Sequence, residues 1–274
     1  MGARGIRQKP IPKENLHLNL KSLCVHFQNL LTLKLITFSL LEKNQVTLQR
    51  LGTSYGGWYV PTEFSNFHNH KKILVSAGIG HDVSFDVEMQ KYGFYIILLD
   101  PLYECCKFAA DSELIQSKAE IINAGVWLKS GQVFFHSPKK IHHDSWSITN
   151  NQDNPKKSGK VLDVIALEEI LQKVKVDNNM QIVMLKMDIE GAEQFIFEAV
   201  AENNSILDFV GIELDYLNSL PFNKFVKRID LIVETRKKLK ILRSKGFKFV
   251  HNDSFNFFWV NTNFLDKVKT KNLM

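Results

Sequence analysis

The chain has 274 residues, 45% hydrophobic and 23% charged, with 35 Lys+Arg against 29 Asp+Glu and a formal net charge of +6. That length fits one large domain or two small ones, and this usage excludes a disordered tail, a collagen and a coiled-coil rod. Phe is frequent at 20, against 14 Gly and 7 Pro, so an aromatic-rich interior with short connections is expected.

At the N-terminus, Arg4, Arg7 and Lys9 are not followed by a compact apolar segment with a cleavage site, so no secretory signal is read. Ile6 stands where a myristoylation signal wants Ser or Thr. The stretch Leu23 to Leu41 is apolar on average, but His26, Gln28, Asn29 and Lys34 interrupt it. It reads as an amphipathic packing helix, with no stable membrane insertion. Residues 1–50 are taken as an N-terminal helical extension and 51–274 as the principal domain. The three cysteines, Cys24, Cys105 and Cys106, leave an odd thiol, and two are adjacent. A reducing, cytoplasmic compartment is the expectation. Next comes Tyr55-Gly56-Gly57-Trp58-Tyr59-Val60-Pro61, read either as a glycine turn packing aromatics on the core or as a lid or substrate wall.

Five short apolar runs follow: Ile73 to Val75, Tyr95 to Leu99, Ile121-Ile122, Ile182 to Leu185, and Phe209 to Leu214. Continuous runs rather than alternation indicate strands buried on both faces. Helical patterns lie between them, such as Val83, Val87 and Gln90. Others are Ala192, Phe195, Ile196, Ala199 and Val200, and then Phe225, Ile229, Ile232, Leu239 and Leu242 ahead of Gly246. Strands alternating with helices predict an α/β domain with a mainly parallel sheet. The segment from Asn150 to Lys160 reads as a surface loop. Near the end, Phe247 to Val250 and Phe255 to Val260 are separated by only four polar residues, which predicts an antiparallel hairpin at one edge of the sheet. The basic run from Arg236 to Lys240, continued by Arg243, Lys245 and Lys248, reads as a solvated helix face before a nucleic-acid footprint.

The first strand runs into Gly78-Ile79-Gly80-His81-Asp82. Glycines there let a ligand approach the backbone, and the N–H groups opening a helix favour an anionic group. The second strand ends at Asp100, 20 residues beyond Gly80, where Rossmann-like domains grip a ribose diol. Val83 replaces the third glycine of a dinucleotide fingerprint, which weakens a nicotinamide reading, and no Walker loop occurs. S-adenosylmethionine offers a carboxylate for the glycine turn and a ribose for Asp100, and Asn123 after the third strand is expected to face its adenine. The fourth strand ends in Lys186-Met187-Asp188-Ile189-Glu190-Gly191-Ala192-Glu193. A carboxylate at a buried strand end needs a partner, so Asp188 reads as functional, whereas Glu193 reads first as a favourable acid in a helix's first turn. Glu213 and Asp215 are candidates for the same rim. Such oxygens suit a hard cation, but nothing in the spacing demands one, and no metal ligand is assigned.

The stretches from Val75 to Asp86, Leu99-Asp100-Pro101 and Lys186 to Glu193 together resemble the FkbM-type S-adenosylmethionine-dependent methyltransferases, over about Gly52 to Val260. The resemblance implies a class I methyltransferase fold, Rossmann-like α/β with seven strands in a mostly parallel sheet and an antiparallel C-terminal strand. It implies O-methylation of a hydroxyl on a small molecule or sugar, with S-adenosyl-L-methionine as cofactor. It carries Gly78, Gly80 and Asp100 to cofactor binding, joined in this reading by Asp82 and Asn123, with Asp188 beside the active centre.

An alcohol acceptor must shed a proton, so a general base is expected among His81, His142, His143, His251 and Glu190; Asp188, Glu190 and His81 are the catalytic candidates. Tyr103 to Lys107 imitates a dehydrogenase Tyr-x-x-x-Lys pair at the wrong place in the sheet. There is no C-x-x-C, no finger spacing around His68 and His70, and no G-x-S-x-G. Asp-Ile-Glu-Gly stands where a base-methylating enzyme would carry Asn-Pro-Pro-aromatic, so a small-molecule or glycan acceptor is expected and a nucleic acid is not. Two readings stand as alternatives: an NAD-dependent oxidoreductase of Rossmann-like fold, and a non-catalytic binding module docking an acidic partner through its basic last helix. Oligomeric state is not legible.

Overall fold

The computed structural model describes residues 13–38, 40, 46–138, 146–148, 158–175, 181–217 and 225–272. Its centre is a seven-stranded sheet built from β3 (Lys71–Ala77), β4 (Phe94–Leu99), β5 (Ala119–Ile122), β9 (Gln181–Met187), β10 (Phe209–Glu213), β11 (Phe247–Asp253) and β12 (Asn256–Asn261). The order is β11-β12-β10-β9-β3-β4-β5, and only β12 runs antiparallel to its neighbours. This is the class I methyltransferase sheet expected from the sequence. Each of the five apolar runs falls in one of its strands; β3, β4, β9 and β10 are largely buried because helices cover both faces, whereas the edge strand β5 is only partly buried. In β3, Ile73, Val75 and Ala77 join one core while Leu74 joins the other.

On the first face lie α4 (Leu167–Val174), α5 (Glu193–Glu202) and α6 (Phe225–Ser244), with the end of α1 (Lys13–Thr37) beyond them. On the second lie α2 (Ser84–Lys91), α3 (Tyr103–Ala110), α7 (Thr262–Asn272) and the hairpin of β1 (Leu48–Leu51) and β2 (Trp58–Pro61). Gly211 of β10 makes room for this hairpin, since a Cβ there would sit 3.0 Å from the Trp58 ring. The buried faces are turned slightly from those expected. Phe197 rather than Phe195 is buried in α5, and Ile229 of α6 is exposed, while Ile232, Leu239 and Leu242 are buried. Gly246 ends that helix region at φ +91°, and Lys237, Lys240 and Arg243 are exposed.

Two expectations are corrected. The terminal hairpin turns on Ser254-Phe255 alone, because His251, Asn252 and Asp253 continue the ladder, with Asp253 opposite Asn256, and Ser254 takes φ 53°. Of the predicted loop from Asn150, residues 150–157 lie outside the described residues, but Gly159 and Lys160 open β8 (Gly159–Ala166). This strand pairs with β6 (Gly125–Trp127) and β7 (Gly131–His136) in a separate three-stranded sheet. The exposed, polar-interrupted residues of β7 and β8 carry no buried-strand signature. Among the described residues no helix is long and apolar enough to cross a membrane.

Candidate active site

The chain order reverses between β3 and β9, where ligands of open α/β sheets bind at the carboxyl ends of strands. A cavity of about 500 Å³ opens there. Its floor is the two turns that leave those strands. Gly78 takes φ +82°, and a Cβ on it would fall 1.7 Å from the Asp188 carbonyl oxygen, so only glycine fits. The Gly78 N–H donates to the Leu99 carbonyl at 2.9 Å, and the Asp188 N–H donates to the Ala77 carbonyl at 2.9 Å. The two turns are thereby fixed back to back.

Asp100 is buried at the cavity wall. Its Oδ2 accepts the N–H groups of Ile79 at 2.9 Å and Gly80 at 3.3 Å, and its Oδ1 accepts that of Leu102 at 2.8 Å. Those glycine-turn N–H groups, expected to face a ligand's anion, thus serve the protein's own acid. Burial pushes the Asp100 carboxyl up, opposed by these N–H groups and by Lys186. Below it, burial and then the Asp100 charge push the Cys106 thiol up to about 11, so it stays protonated.

Asp82 joins the cavity to the β1–β2 hairpin. Its Oδ2 accepts from Thr53 Oγ1 at 2.5 Å and from the Gly56 N–H at 3.2 Å, and its Oδ1 accepts from the Ser84 N–H at 2.8 Å. Ser84 Oγ accepts the Thr53 N–H at 2.8 Å. Arg50 donates into the same loop, to the carbonyls of Thr53, Ser54 and Gly57. The loop so held presents Tyr55 and Gly56 to the cavity, with Trp58 beneath. Both readings of this segment thus meet: Trp58 is a core aromatic and Tyr55 a wall residue.

The Asp188-Ile189-Glu190-Gly191 turn supplies the opposite wall. Glu190 stands at φ 57° and Gly191 at φ 90°, a conformation costly for a side-chain-bearing residue and often found at functional sites. Glu193 and Ser147 help to hold it. Glu193, fully buried, accepts the Ile189 N–H at 2.7 Å, and Ser147 Oγ donates to the Glu190 carbonyl at 2.5 Å. The position read first as structural, Glu193, thus braces the turn.

Lys186 had no role assigned from sequence. It stands one residue before the end of β9 (Gln181–Met187). It lines the cavity, donates through Nζ to the Gly78 carbonyl at 2.6 Å, and lies 6.0 Å from the centre of the Trp58 ring. Its charge also opposes burial at Asp86, a carboxyl buried beneath the turn. Glu213, Tyr216 and Asn256 complete the far end. Burial pushes the Tyr216 phenol well up, and its hydroxyl lies 3.1 Å from Thr235 Oγ1.

Of the expected residues, Gly78, Gly80, His81, Asp82, Asp100, Asp188, Glu190 and Glu213 line one cavity. Asn123 does not; it is exposed, and its amide donates to the Asp100 carbonyl at 3.0 Å. His81 is exposed at the rim, edge-on to Phe108. His251 lies on β11 outside the lining, with its ring centre 4.4 Å from that of Tyr59, and burial lowers its pKa. His142 and His143, like the Asp215 side chain, lie outside the described residues. Five acidic residues, Asp82, Asp100, Asp188, Glu190 and Glu213, therefore line the cavity, with Lys186 the one Lys or Arg among the described lining residues. Among these residues no three acid, His or Cys side chains group as metal ligands.

The pattern described as the methyltransferase FkbM domain matches residues 48–249. No curated protein sequence matches the chain. Among solved structures, the chain is similar to the fibrillarin pre-rRNA processing protein of Methanococcus jannaschii, at 12% identity over 80% of this chain and 84% of that one, with a TM-score of 0.37. It is similar to a TehB-like SAM-dependent methyltransferase from Corynebacterium glutamicum, at 11% identity over 73% and 87% of the two chains, TM-score 0.33. A methyltransferase from Pyrococcus furiosus is similar at 12% identity over 86% and 96%, TM-score 0.31.

Proposed function

Because this chain belongs to the FkbM methyltransferase domain family and so uses S-adenosylmethionine, we propose that it methylates a hydroxyl oxygen of a small molecule or sugar. The excess of carboxylates around the cavity carries this reading. Such a lining favours a ligand bearing sulfonium and ammonium charges, and it opposes the pyrophosphate of a nicotinamide dinucleotide or the phosphates of a nucleic acid. Space and backbone fit as well, since the bare Gly78 and a cavity of about 500 Å³ admit a nucleoside-sized ligand.

When bound, S-adenosylmethionine supplies a methyl group on a sulfonium centre, open to in-line displacement by an acceptor oxygen. In this reading Gly78, Gly80 and Asp100 hold the cofactor. Three N–H donors occupy three of the roughly four acceptor sites of the Asp100 carboxylate, which leaves one for a ribose hydroxyl. Asp82 contributes indirectly, by holding the hairpin loop over the opening, and Asn123 by fixing the Asp100 carbonyl. Asp188 and Glu190 orient the acceptor hydroxyl and take its proton as the new C–O bond forms, with His81 at the rim as the other proton acceptor. Alignment and exclusion of water can lower such a barrier by roughly 7–11 kcal/mol in favourable cases. A cytoplasmic setting accords with the buried thiols of Cys105 and Cys106.

Two measurements test the proposal. Calorimetry should detect S-adenosylhomocysteine and not NAD; tight NAD binding without a response to S-adenosylhomocysteine would overturn it. Transfer of an isotopically labelled methyl group to a panel of hydroxylated small molecules and glycans should give an ether product, and a methylated nitrogen would refute the hydroxyl acceptor.

A further inference from the structure

Helix α1 carries apolar side chains on two opposite faces. On one, Thr32, Leu33, Ile36 and Thr37 are buried, and Arg228 of α6 donates to Thr32 Oγ1 at 3.2 Å and to Asn29 Oδ1 at 3.4 Å. On the other, Leu23, Phe27, Leu30, Leu31, Leu35 and Phe38 are exposed, with Leu23 and Phe27 at 67% and Phe38 at 85%. No described residue covers this stripe, and a helix apolar all round normally has both faces packed.

The spacing says what kind of surface fits. Leu16, Leu20, Leu23, Phe27, Leu30 and Lys34 follow one another at intervals of 4, 3, 4, 3 and 4 residues. That is the 3.5-residue period of a helix seam laid along another helix, kept here over much of a 25-residue helix. Residues 1–12 offer only Met1, Ile6 and Ile11 as large apolar groups, too few to fill such a seam. An anionic membrane surface would call for a row of cations along the stripe, whereas Lys34 is the one Lys or Arg between Leu23 and Phe38. A lysine at a single seam position is instead a known device for fixing pairing register, at some cost in stability.

We infer that a second copy of this chain covers the stripe, through pairing of the two α1 helices about Leu23, Phe27 and Leu30. The exposed apolar surface of the six residues is on the order of 600 Å² per copy, near the roughly 800 Å² per partner of a standard interface. The same patch then serves both subunits, as a closed two-fold dimer requires.

Sedimentation equilibrium of the full chain tests this. The chain should be dimeric in the micromolar range. F27E/L30E should weaken the dimer by at least about 100-fold while leaving S-adenosylhomocysteine binding and the helical circular dichroism unchanged, since both side chains are exposed in the single chain. Lys34→Leu should tighten it. A chain that stays monomeric up to about 100 μM, or a dimer that survives F27E/L30E, overturns the inference. So does a monomer that floats with phosphatidylglycerol vesicles and loses them on F27E/L30E, which would assign the stripe to a membrane.

Discussion

Asp100 Oδ2 accepts the Ile79 N–H at 2.9 Å, so the acid that ends the second central strand is also the anchor of the glycine turn that follows the first. Removing the acceptor strands the buried N–H groups of Ile79 and Leu102 and the part-buried one of Gly80. Asp100→Ala is expected to lower stability by roughly 1–3 kcal/mol and to weaken S-adenosylhomocysteine binding at least about tenfold, the equivalent of 1.4 kcal/mol. Melting curves and calorimetry on one preparation separate the two effects. An unchanged cofactor affinity would show that Asp100 serves the turn alone.

The same acid sets a pH dependence. Burial raises its carboxyl above the ordinary 3.8, against the N–H groups and Lys186. A raised folded-state value means that ionisation opposes folding, so its contribution to stability declines as pH climbs from the ordinary value through the raised one. Cofactor binding runs the other way, because only the carboxylate can accept a ribose hydroxyl at its remaining site. Affinity for S-adenosylhomocysteine should therefore fall as pH drops through the raised value, and Asp100→Asn should flatten that dependence.

Asp82 has the opposite sign. Burial raises its carboxyl, but hydrogen bonds from Ser84, Thr53 and Gly56 together outweigh that and lower it below 3.8. Stability from such a group is present above the ordinary carboxylate value and lost as pH falls through the lowered one. At neutral pH the hairpin loop should thus be held closed. Asp82→Ala should speed amide exchange at residues 53–57 several-fold and raise KM for the acceptor more than it alters melting. Exchange unchanged at these residues would mean that Arg50 and Ser84 hold the loop without it.

Much of this arrangement is legible in the sequence, and the exceptions have physical causes. Strands β3, β4, β9 and β10 announce themselves because both of their faces are buried. Likewise Gly78 and Asp188 are legible as the turns leaving the two strands where the chain order reverses, and Asp100 from its spacing of 20 residues beyond Gly80. Strands β7 and β8 leave no such trace, being largely exposed. Lys186 is hidden for another reason: inside an apolar strand a lysine reads as an interruption until its partners, the Gly78 carbonyl and the acids around it, are brought near by folding. Asn123 was placed by topology alone, which fixes the strand end but not the direction of a side chain at a solvent-facing turn.

Gly78 provides a test of the close approach itself. In Gly78→Ala the new methyl would meet the Asp188 carbonyl at 1.7 Å, with the backbone held at φ +82°. Backbone oxygen cannot yield as a side-chain tip could, so the turn must move or the strand ends must part, and the strain of the φ value alone costs roughly 1–3 kcal/mol. Loss of S-adenosylhomocysteine binding together with a lower melting temperature is expected. Gly211→Ala is the contrasting case, because its methyl would press at 3.0 Å on the Trp58 ring, a side chain that can shift, rather than on backbone. A small shift of that ring should suffice, leaving cofactor affinity intact.

Lys186 is where stability and function are hardest to separate, and a pair of substitutions does so. Lys186→Met keeps the side-chain length but removes the donor to the Gly78 carbonyl and the charge that offsets burial at Asp86. Leaving one member of a buried ionic group without its counter-charge costs roughly 3–5 kcal/mol. Asp86→Asn in the same chain removes the orphaned charge, so the double variant should recover much of the lost stability in urea unfolding. It should not recover cofactor affinity if the Gly78 turn depends on the Nζ donor. Recovery of both would place Lys186 among purely electrostatic supports, while recovery of neither would show that the hydrogen bond to Gly78 is what holds the strand ends together.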